Sequence, residues 1–284
     1  MRLSATLIVM TALLPVTPAA SAPRSGFFTT SDGVRLHYLE AGTGPPIVFV
    51  PGWTMAAEIW QPQLDHFSRR FRVIALDPRS QGDSQKPTEG HYPERRARDI
   101  RELVEHLELE SPVLVGWSMA VCEVLSYVDQ FGAEELRAVV LVDGFIKLSP
   151  TFAAEFPVFL KQFQMDRRKA TDGFVRSMFG TPQSETYLSG IIAASLKTPT
   201  NSAIALQTGS LGRLDWTDVF AKLGKTPALF VFEPRLKSQA EVVRERFPAA
   251  QVEVFEDAGH ALFVDDAERF NREIEAFLLR AATH

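Results

Sequence analysis

Short continuous apolar runs alternate with amphipathic stretches along most of this chain, and no other feature restricts the fold as strongly. Apolar runs of this length are typical of strands that are buried on both faces of a sheet. Six of them lie at residues 46–52, 71–77, 111–117, 137–143, 227–232 and 251–257. The amphipathic stretches between them predict parallel pairing through right-handed crossovers, and hence an α/β sheet with helices on both faces.

Two further runs precede this series and bring the predicted number of strands to eight. Residues 26–30 and 34–42 flank Asp32 and Gly33, a dipeptide that is typical of a β-hairpin turn. An antiparallel hairpin next to six parallel strands gives a mostly parallel sheet. The predicted fold class is therefore α/β.

Residues 145–222 break the alternation and contain helical segments without a convincing strand. Eight large side chains mark this region: Phe152, Phe156, Phe159, Phe163, Phe174, Phe179, Met165 and Met178. We predict that residues 145–222 form a helical cap, or lid, inserted after the sixth strand of a core made of residues 23–144 and 223–284. Most of these side chains should pack the lid onto the core, and two or three should face a ligand. Trp53, Phe145, Phe159 and Phe163 are the predicted pocket walls.

The N-terminal segment predicts export from the cell. Residues 1–22 contain one basic residue, an apolar stretch and then small residues, which is the layout of a secretory signal peptide too short to remain as a membrane span. The alternative is an uncleaved apolar arm.

A net charge of −5 without a basic cluster argues against nucleic acid as a partner. The single cysteine, Cys122, excludes an internal disulfide and is predicted to be a buried structural thiol.

Two residues that follow predicted strands, Ser118 and His260, are the candidates for the chemistry. Ligands of open α/β sheets bind at the carboxyl ends of the strands, where these residues lie. Ser118 follows Gly116 by two positions, between an apolar run and a helical stretch, as in a sharp turn that exposes a nucleophile. Ala120 stands where a second glycine is more usual, and is small enough. His260 lies between the last strand and the C-terminal helix, so we predict that it acts as base and then acid for Ser118. The other histidines, His37, His66, His91, His106 and His284, are predicted to be surface or packing residues.

The acid that orients His260 is not decided by spacing. Asp143 and Glu233 both end neighbouring predicted strands, and both lie between Ser118 and His260 in the chain. The backbone N–H groups of Trp53 and Met119 are the predicted donors to an oxyanion. Without a Cys/His cluster, a phosphate-binding glycine loop or a dinucleotide fingerprint, the sequence predicts no metal or cofactor.

Four segments resemble the α/β-hydrolase superfamily: DGVRLHYLEAGTGPPIVFVPGW, DPRSQGDSQKP, VLVGWSMAVCEVLSYVDQFG and DAGHALFVDDAERFNREIEAFL. Within it they are similar to the serine esterase branch that includes the cofactor-free haloperoxidases, or perhydrolases. The resemblance implies Ser118 as nucleophile, His260 as base, and Trp53 with Met119 as oxyanion donors. It also implies that peroxide can replace water at an acyl-enzyme.

The chain departs from the family pattern at three places. Pro51 stands where the family usually has histidine, Ala120 replaces a glycine, and the turn EPRLKSQ after the seventh strand lacks the usual aspartate. Haloalkane dehalogenases and cofactor-free ring-cleaving dioxygenases place the acid one strand earlier, where Asp143 falls, so the resemblance favours Asp143 over Glu233. Dehalogenases and epoxide hydrolases attack with a carboxylate where this chain has Ser118, which disfavours those activities.

The leading hypothesis is a secreted or periplasmic serine hydrolase that cleaves a carboxylic ester or lactone with an apolar group. Its partner is a small-molecule substrate, it is not stably inserted in a membrane, and its oligomeric state is open. One alternative is cofactor-free oxygenation or C–C cleavage by a His260–Asp143 base dyad. Two others are a perhydrolase side activity and a non-catalytic small-molecule binding protein.

Overall fold

A computed structural model of the chain describes residues 22–149 and 153–281, and all but the last residue of the predicted signal peptide lies outside them. The sheet has the order β1-β2-β4-β3-β5-β6-β7-β8, with antiparallel pairing at β1–β2 and β2–β4 and parallel pairing elsewhere. The strands are β1 (Arg24–Thr29), β2 (Arg35–Ala41), β3 (Pro46–Val50), β4 (Arg72–Asp77), β5 (Val113–Trp117), β6 (Ala138–Val142), β7 (Ala228–Phe232) and β8 (Gln251–Val254). The predicted mostly parallel sheet of eight strands is confirmed.

Eleven α-helices connect and cover the strands within the described ranges. They are α1 (Gln61–Phe67), α2 (Pro93–His106), α3 (Ala120–Phe131), α4 (Phe156–Met165), α5 (Arg167–Ser177), α6 (Glu185–Leu196), α7 (Thr200–Ser210), α8 (Phe220–Leu223), α9 (Lys237–Arg246), α10 (Leu262–Asp265) and α11 (Ala267–Ala281). Short 3₁₀ helices lie at Ala57–Trp60, Thr217–Val219 and Pro234–Leu236. In the described part of the chain, no helix combines the length and apolarity needed to cross a bilayer.

The apolar strands are stable because helices bury them from both sides. Along β3, Val48 and Val50 pack into the cluster under α2 and α3, whereas Ile47 and Phe49 pack into the cluster under α1 and α11. Every residue of β5, β6 and β7 is buried. Since burial of one such side chain contributes about 1.5–3 kcal/mol, these runs are stable between two helical layers.

Helices α4 to α7, which we call the insertion helices, follow β6 and precede β7 in the chain. Two backbone hydrogen bonds join the ends of this segment, from Leu148 N to Leu214 O at 2.7 Å and from Trp216 N to Ile146 O at 3.0 Å. Within the insertion helices, Ala203 O of α7 accepts a hydrogen bond from the indole Nε1 of Trp53 at 2.7 Å. The insertion helices therefore lie against the loop that follows β3, at the carboxyl edge of the sheet.

The loop between β4 and α2 contains a buried histidine. His91 is 6% exposed, and its Nε2 lies 2.7 Å from Ser80 Oγ. Burial, together with the positive charges of Arg96 and Arg79, lowers the pKa of His91 to about 4. The folded protein therefore keeps this ring neutral at pH values where a histidine in the unfolded chain, with its pKa near 6.5, becomes protonated.

We expect His91 to destabilise the fold as the pH falls from about 6.5 to 4. Over that window the unfolded state binds the extra proton, so the free energy of unfolding falls by up to about 1.4 kcal/mol per pH unit. Burial raises the pKa of Glu123 to about 7, which gives the opposite slope between pH 4.5 and 7. The informative quantity is therefore the difference between wild type and His91→Asn in urea unfolding. A difference that does not change between pH 7 and 4.5 contradicts the prediction.

Candidate active site

Ser118 occupies a strained turn between β5 and α3. Its φ angle is 59°, in the left-handed region that costs a non-glycine residue about 1–2 kcal/mol. Gly116 permits this turn, because a Cβ at that position would lie 2.6 Å from Ala120 O and 2.8 Å from Val124 Cγ2. A hydrogen bond from Ser118 N to Val142 O, at 2.8 Å, ties the turn to β6. The hydroxyl is thereby held at the strand end, as the spacing predicts.

His260 connects Ser118 to an acid through two short hydrogen bonds. Its Nε2 lies 2.8 Å from Ser118 Oγ, and its Nδ1 lies 2.6 Å from Asp143 Oδ2. A carboxylate beside Nδ1 accepts a hydrogen bond, so Nδ1 carries the proton and Nε2 is free to accept the one from Ser118. The Asp143 side chain is fully buried, and that of His260 is 20% exposed. This arrangement can draw a proton from the serine hydroxyl.

The two candidate acids have different partners. Asp143 has a φ angle of 47° and contacts His260, while its Oδ1 accepts the Glu233 N–H at 2.8 Å. The Glu233 carboxylate instead forms an ion pair with Arg235, whose Nη2 lies 2.7 Å from Oε1. The structure therefore brings Asp143, and not Glu233, into hydrogen-bond contact with the imidazole.

Asp143, Glu233 and His260 each place a metal-ligating atom within 4.8 Å of the others. The imidazole–carboxylate hydrogen bond and the Glu233–Arg235 ion pair already engage these atoms. The donor set therefore suits a hydrogen-bonded catalytic array better than a cation site.

Two backbone N–H groups belong to neighbours of Ser118: Met119 follows it in the chain, and Trp53 follows Gly52, which lies close to it in space. Neither the N–H of Trp53 nor that of Met119 has a hydrogen-bond acceptor among the residues that the structure describes. Gly52 brings the first of them close, since a Cβ on Gly52 would lie 2.9 Å from Ser118 Cβ. Unpaired N–H groups beside a nucleophile can stabilise a negative oxygen that forms during acyl transfer.

Comparison with known proteins identifies the family and the relatives to which this chain is similar. The family model described as the alpha/beta hydrolase fold matches residues 45–185. The non-heme chloroperoxidase CPO-A1 of Kitasatospora aureofaciens is 27% identical over 276 residues, which cover 88% of this chain and 98% of the relative. A crystal structure of a proposed aryl esterase from Burkholderia cenocepacia superposes with a TM-score of 0.83 at 27% identity, covering 92% of this chain and 100% of the esterase.

The chain belongs to the α/β-hydrolase superfamily. The resemblance to its haloperoxidase and esterase members is confirmed. A soluble epoxide hydrolase from Corynebacterium sp. (strain C12) is 34% identical over 123 residues, but that match covers 43% of each protein. The matched region therefore covers less than half of the length of that relative.

The α/β-hydrolase has a cavity of about 360 Å³ above Ser118 and His260. Its wall is largely apolar and includes Trp53, Met119, Phe145, Leu148, Phe156, Phe159, Phe174, Leu211, Leu214 and Trp216. Of the large side chains predicted for the lid, Phe152 lies outside the described residues, and Phe156, Phe159 and Phe174 are on this wall. The cavity also has polar lining residues, among them Gln207 and Arg213.

Phe163 does not lie on the cavity wall, in contrast to the prediction. It is 1% exposed and packs edge-on to the Trp53 ring, with ring centroids 4.7 Å apart. Phe163 contacts Trp53 and Phe159, which both line the cavity, so it supports these wall residues. Helical periodicity identifies the buried face of α4 but not which residues of that face Trp53 covers.

Cys122 does line the cavity, one helical turn after Ser118, and is partly buried. The apolar helix face around Cys122 predicts a buried structural thiol and does not indicate that the thiol reaches the cavity. Cys122 lies in the first turn of α3, which begins at Ala120 directly after the turn that holds Ser118, and this closeness in the chain is the signal that could identify it. Burial raises the pKa of the thiol to about 12, so Cys122 contributes an uncharged, apolar surface to the site.

The loop that carries His260 is held from both sides of the imidazole. Asp265 Oδ2 accepts the N–H of Gly259 at 2.8 Å and that of Gly180 at 2.7 Å. On the other side, Ala261 N donates to Met178 O at 2.8 Å. The Trp117 indole adds a bond to the His260 carbonyl at 2.8 Å. The segment between α5 and α6 thus fixes the base that faces Ser118.

A second serine–histidine–aspartate array lies on β1, β2 and β4. His37 Nε2 is 2.7 Å from Ser25 Oγ, and His37 Nδ1 is 2.7 Å from Asp77 Oδ2. Ser25 pairs with Leu39 in the regular β1–β2 ladder and does not occupy a strained turn. The array therefore lacks the backbone geometry that surrounds Ser118, and it connects three strands as a packing element.

Proposed function

We propose that this α/β-hydrolase cleaves carboxylic esters, or related lactones, through an acyl-enzyme on Ser118. The observation that carries the proposal is the continuous chain of short hydrogen bonds from Ser118 through His260 to Asp143 at the floor of the cavity. A serine hydroxyl is a poor nucleophile without such a base beside it.

The proposed acylation transfers one proton and one acyl group. Ser118 Oγ attacks the substrate carbonyl while His260 Nε2 takes the hydroxyl proton. Negative charge forms on the carbonyl oxygen, where the N–H groups of Trp53 and Met119 stabilise it. The C–O bond then breaks, and His260 returns the proton to the departing alcohol.

Deacylation repeats these steps with water as the nucleophile. His260 draws a proton from water, the hydroxide adds to the acyl carbon, and the tetrahedral intermediate releases a carboxylic acid as Ser118 recovers its proton. Asp143 holds the imidazole in one tautomer throughout and stabilises its positive charge. No metal or cofactor enters this sequence.

The apolar cavity supports a substrate with an apolar acyl or alcohol group. Trp53, Phe145 and Phe159 are the predicted wall residues that line it. Burial of each substrate methylene contributes about 0.8 kcal/mol to binding. We further propose that residues 145–222 act as a cap over this cavity and the remaining residues from 23 onward as the core.

A perhydrolase activity is a second candidate, favoured by the similarity to a non-heme chloroperoxidase over most of the chain. Peroxide in place of water at the acyl-enzyme yields a peracid, with the same proton transfers at His260.

The layout of residues 1–22 supports a third proposal, that the enzyme acts in the periplasm or outside the cell.

Labelling with a fluorophosphonate tests the proposed nucleophile. We expect one phosphonyl group per protein molecule, located by peptide mass spectrometry on Ser118, because His260 activates that hydroxyl. Ser25 is the internal control, since it also contacts a histidine but lies in a regular strand. A protein that remains unlabelled, or is labelled at Ser25 to the same extent, contradicts the acyl-enzyme mechanism and favours the binding-protein alternative.

A further inference from the structure

Gln81 is a buried side chain outside the Ser118–His260–Asp143 array that nevertheless contacts the loop beside it. It lies between β4 and α2 and is 0% exposed. Its Nε2 donates to Gly52 O at 3.0 Å and to Met55 O at 2.7 Å. Both amide protons of Gln81 are thus used on the loop that follows β3.

The bond to Gly52 O also determines the direction of the neighbouring Trp53 N–H group. The C=O of Gly52 and the N–H of Trp53 belong to one planar trans peptide, in which they point in opposite directions. Met55 N also donates to Gly52 O, at 3.1 Å. Since the carbonyl is held on one side, the Trp53 N–H is turned toward the other side, where it has no acceptor within the described residues.

A buried ion pair fixes which end of the Gln81 amide faces Gly52. Arg96 Nη2 donates to Gln81 Oε1 at 3.2 Å and lies 2.9 Å from Glu123 Oε1. Both charged side chains are 2% exposed. With the amide oxygen engaged by Arg96, the NH₂ group must point at Gly52 and Met55. Because Glu123 is in α3, this network ties the helix after Ser118 to the Gly52 loop.

We propose that Gln81 is a positioning residue, which holds the Gly52–Trp53 peptide so that the Trp53 N–H faces the carbonyl oxygen of the substrate. Its catalytic consequence rests on the proposed esterase function. The orientation of the peptide does not, and it can be measured in the free protein.

The kinetic test compares Gln81→Met with Gln63→Met. Gln63 is a matched control, since it is also 0% exposed and donates Nε2 to a backbone carbonyl, that of Phe263 at 2.9 Å. Loss of an oxyanion donor lowers kcat by about 10²–10³, so a misaligned donor in Gln81→Met should lower kcat about 10- to 100-fold. KM should stay within about twofold, because the donor acts in the transition state. An unchanged kcat, or an equal loss in both variants, overturns the proposal.

The second readout is independent of ester hydrolysis. The chain has four tryptophans, so selective ¹⁵N-tryptophan labelling gives four backbone amide signals. In Gln81→Met the Trp53 signal should shift more than those of Trp60, Trp117 and Trp216, while Gln63→Met leaves it in place. An unmoved Trp53 signal overturns the proposal.

The two readouts separate this inference from the proposed function. If wild type hydrolyses no ester, the esterase function fails and the Trp53 signal alone decides the role of Gln81. If Gln81→Met does not fold, Gln81→Asn is measured in both experiments, since its shorter amide cannot reach both carbonyls. In that variant the same shift and the same kcat loss support the proposal, and their absence contradicts it.

Discussion

Replacement of Ser118 by alanine is expected to lower kcat for p-nitrophenyl acetate by about 10⁴- to 10⁶-fold. The hydroxyl that His260 Nε2 contacts at 2.8 Å is the atom that forms the acyl bond, so its removal leaves no hydroxyl next to the imidazole. Stopped-flow measurement should show a burst of p-nitrophenol in wild type and none in the variant. Near-ultraviolet circular dichroism should be unchanged, because alanine keeps the Cβ of Ser118 and removes only the hydroxyl.

The matched control for this variant is Ser25→Ala. Ser25 also lies 2.7 Å from a histidine ring nitrogen, yet its strand position gives it no oxyanion donors. We expect kcat of Ser25→Ala to remain within about twofold of wild type, as for a surface substitution away from the site. A retained burst in Ser118→Ala, or a large loss in Ser25→Ala, contradicts the assignment of the nucleophile.

The same variant separates the proposed function from its main alternative. A His260–Asp143 base dyad needs Ser118 only to orient the substrate, so cofactor-free oxygenation or C–C cleavage should survive in Ser118→Ala. Turnover of an acidic heteroaromatic or a diketone by this variant, at a rate close to that of wild type, supports the dyad. Absence of that turnover in wild type removes the alternative.

Local patterns were sufficient to predict the elements and two members of the site. A strand, a glycine and a serine before a helix identify Ser118, and a histidine after the last strand identifies His260, because both signals are contained in short segments. The hairpin around Asp32 and Gly33 is equally local, and the structure has β1 and β2 antiparallel on either side of it.

The roles of other residues depend on contacts between segments that are far apart in the chain, so no short sequence pattern predicts them. Gln81 carries no motif, and its contact with Gly52 arises because two loops from different strands meet at one edge of the sheet. Phe163 and Phe174 are both phenylalanines of the aromatic-rich segment 145–222. Phe163 nevertheless packs against Trp53, whereas Phe174 lines the cavity. Such outcomes depend on how the insertion helices pack, which periodicity leaves open.

The choice between the two acids is also a tertiary effect. Asp143 and Glu233 end adjacent parallel strands, so their sequence positions are equivalent with respect to the sheet edge. The positive φ of Asp143 accompanies a side chain directed at His260, whereas Arg235, two residues after Glu233, engages the other carboxylate.

Asp143→Asn is expected to lower kcat by about 10³- to 10⁴-fold. The amide is nearly isosteric, but its NH₂ group can donate to His260 Nδ1 and stabilise the tautomer in which Nε2 carries the proton. That tautomer cannot accept the Ser118 proton, and the imidazolium formed during acylation loses its negative partner at 2.6 Å. Single-turnover acylation by p-nitrophenyl acetate, measured between pH 6 and 9, checks the prediction.

Glu233→Gln is the matched control, because it removes one negative charge from the adjacent strand end without changing the shape of the side chain. Its carboxylate contacts Arg235 and not the imidazole, so kcat should fall by less than about tenfold. The Glu233 N–H that supports Asp143 Oδ1 belongs to the backbone and is retained. A loss in Glu233→Gln that equals the loss in Asp143→Asn contradicts the assignment of the acid, since the two carboxylates then act as one unit. A loss in Glu233→Gln alone transfers the role to Glu233.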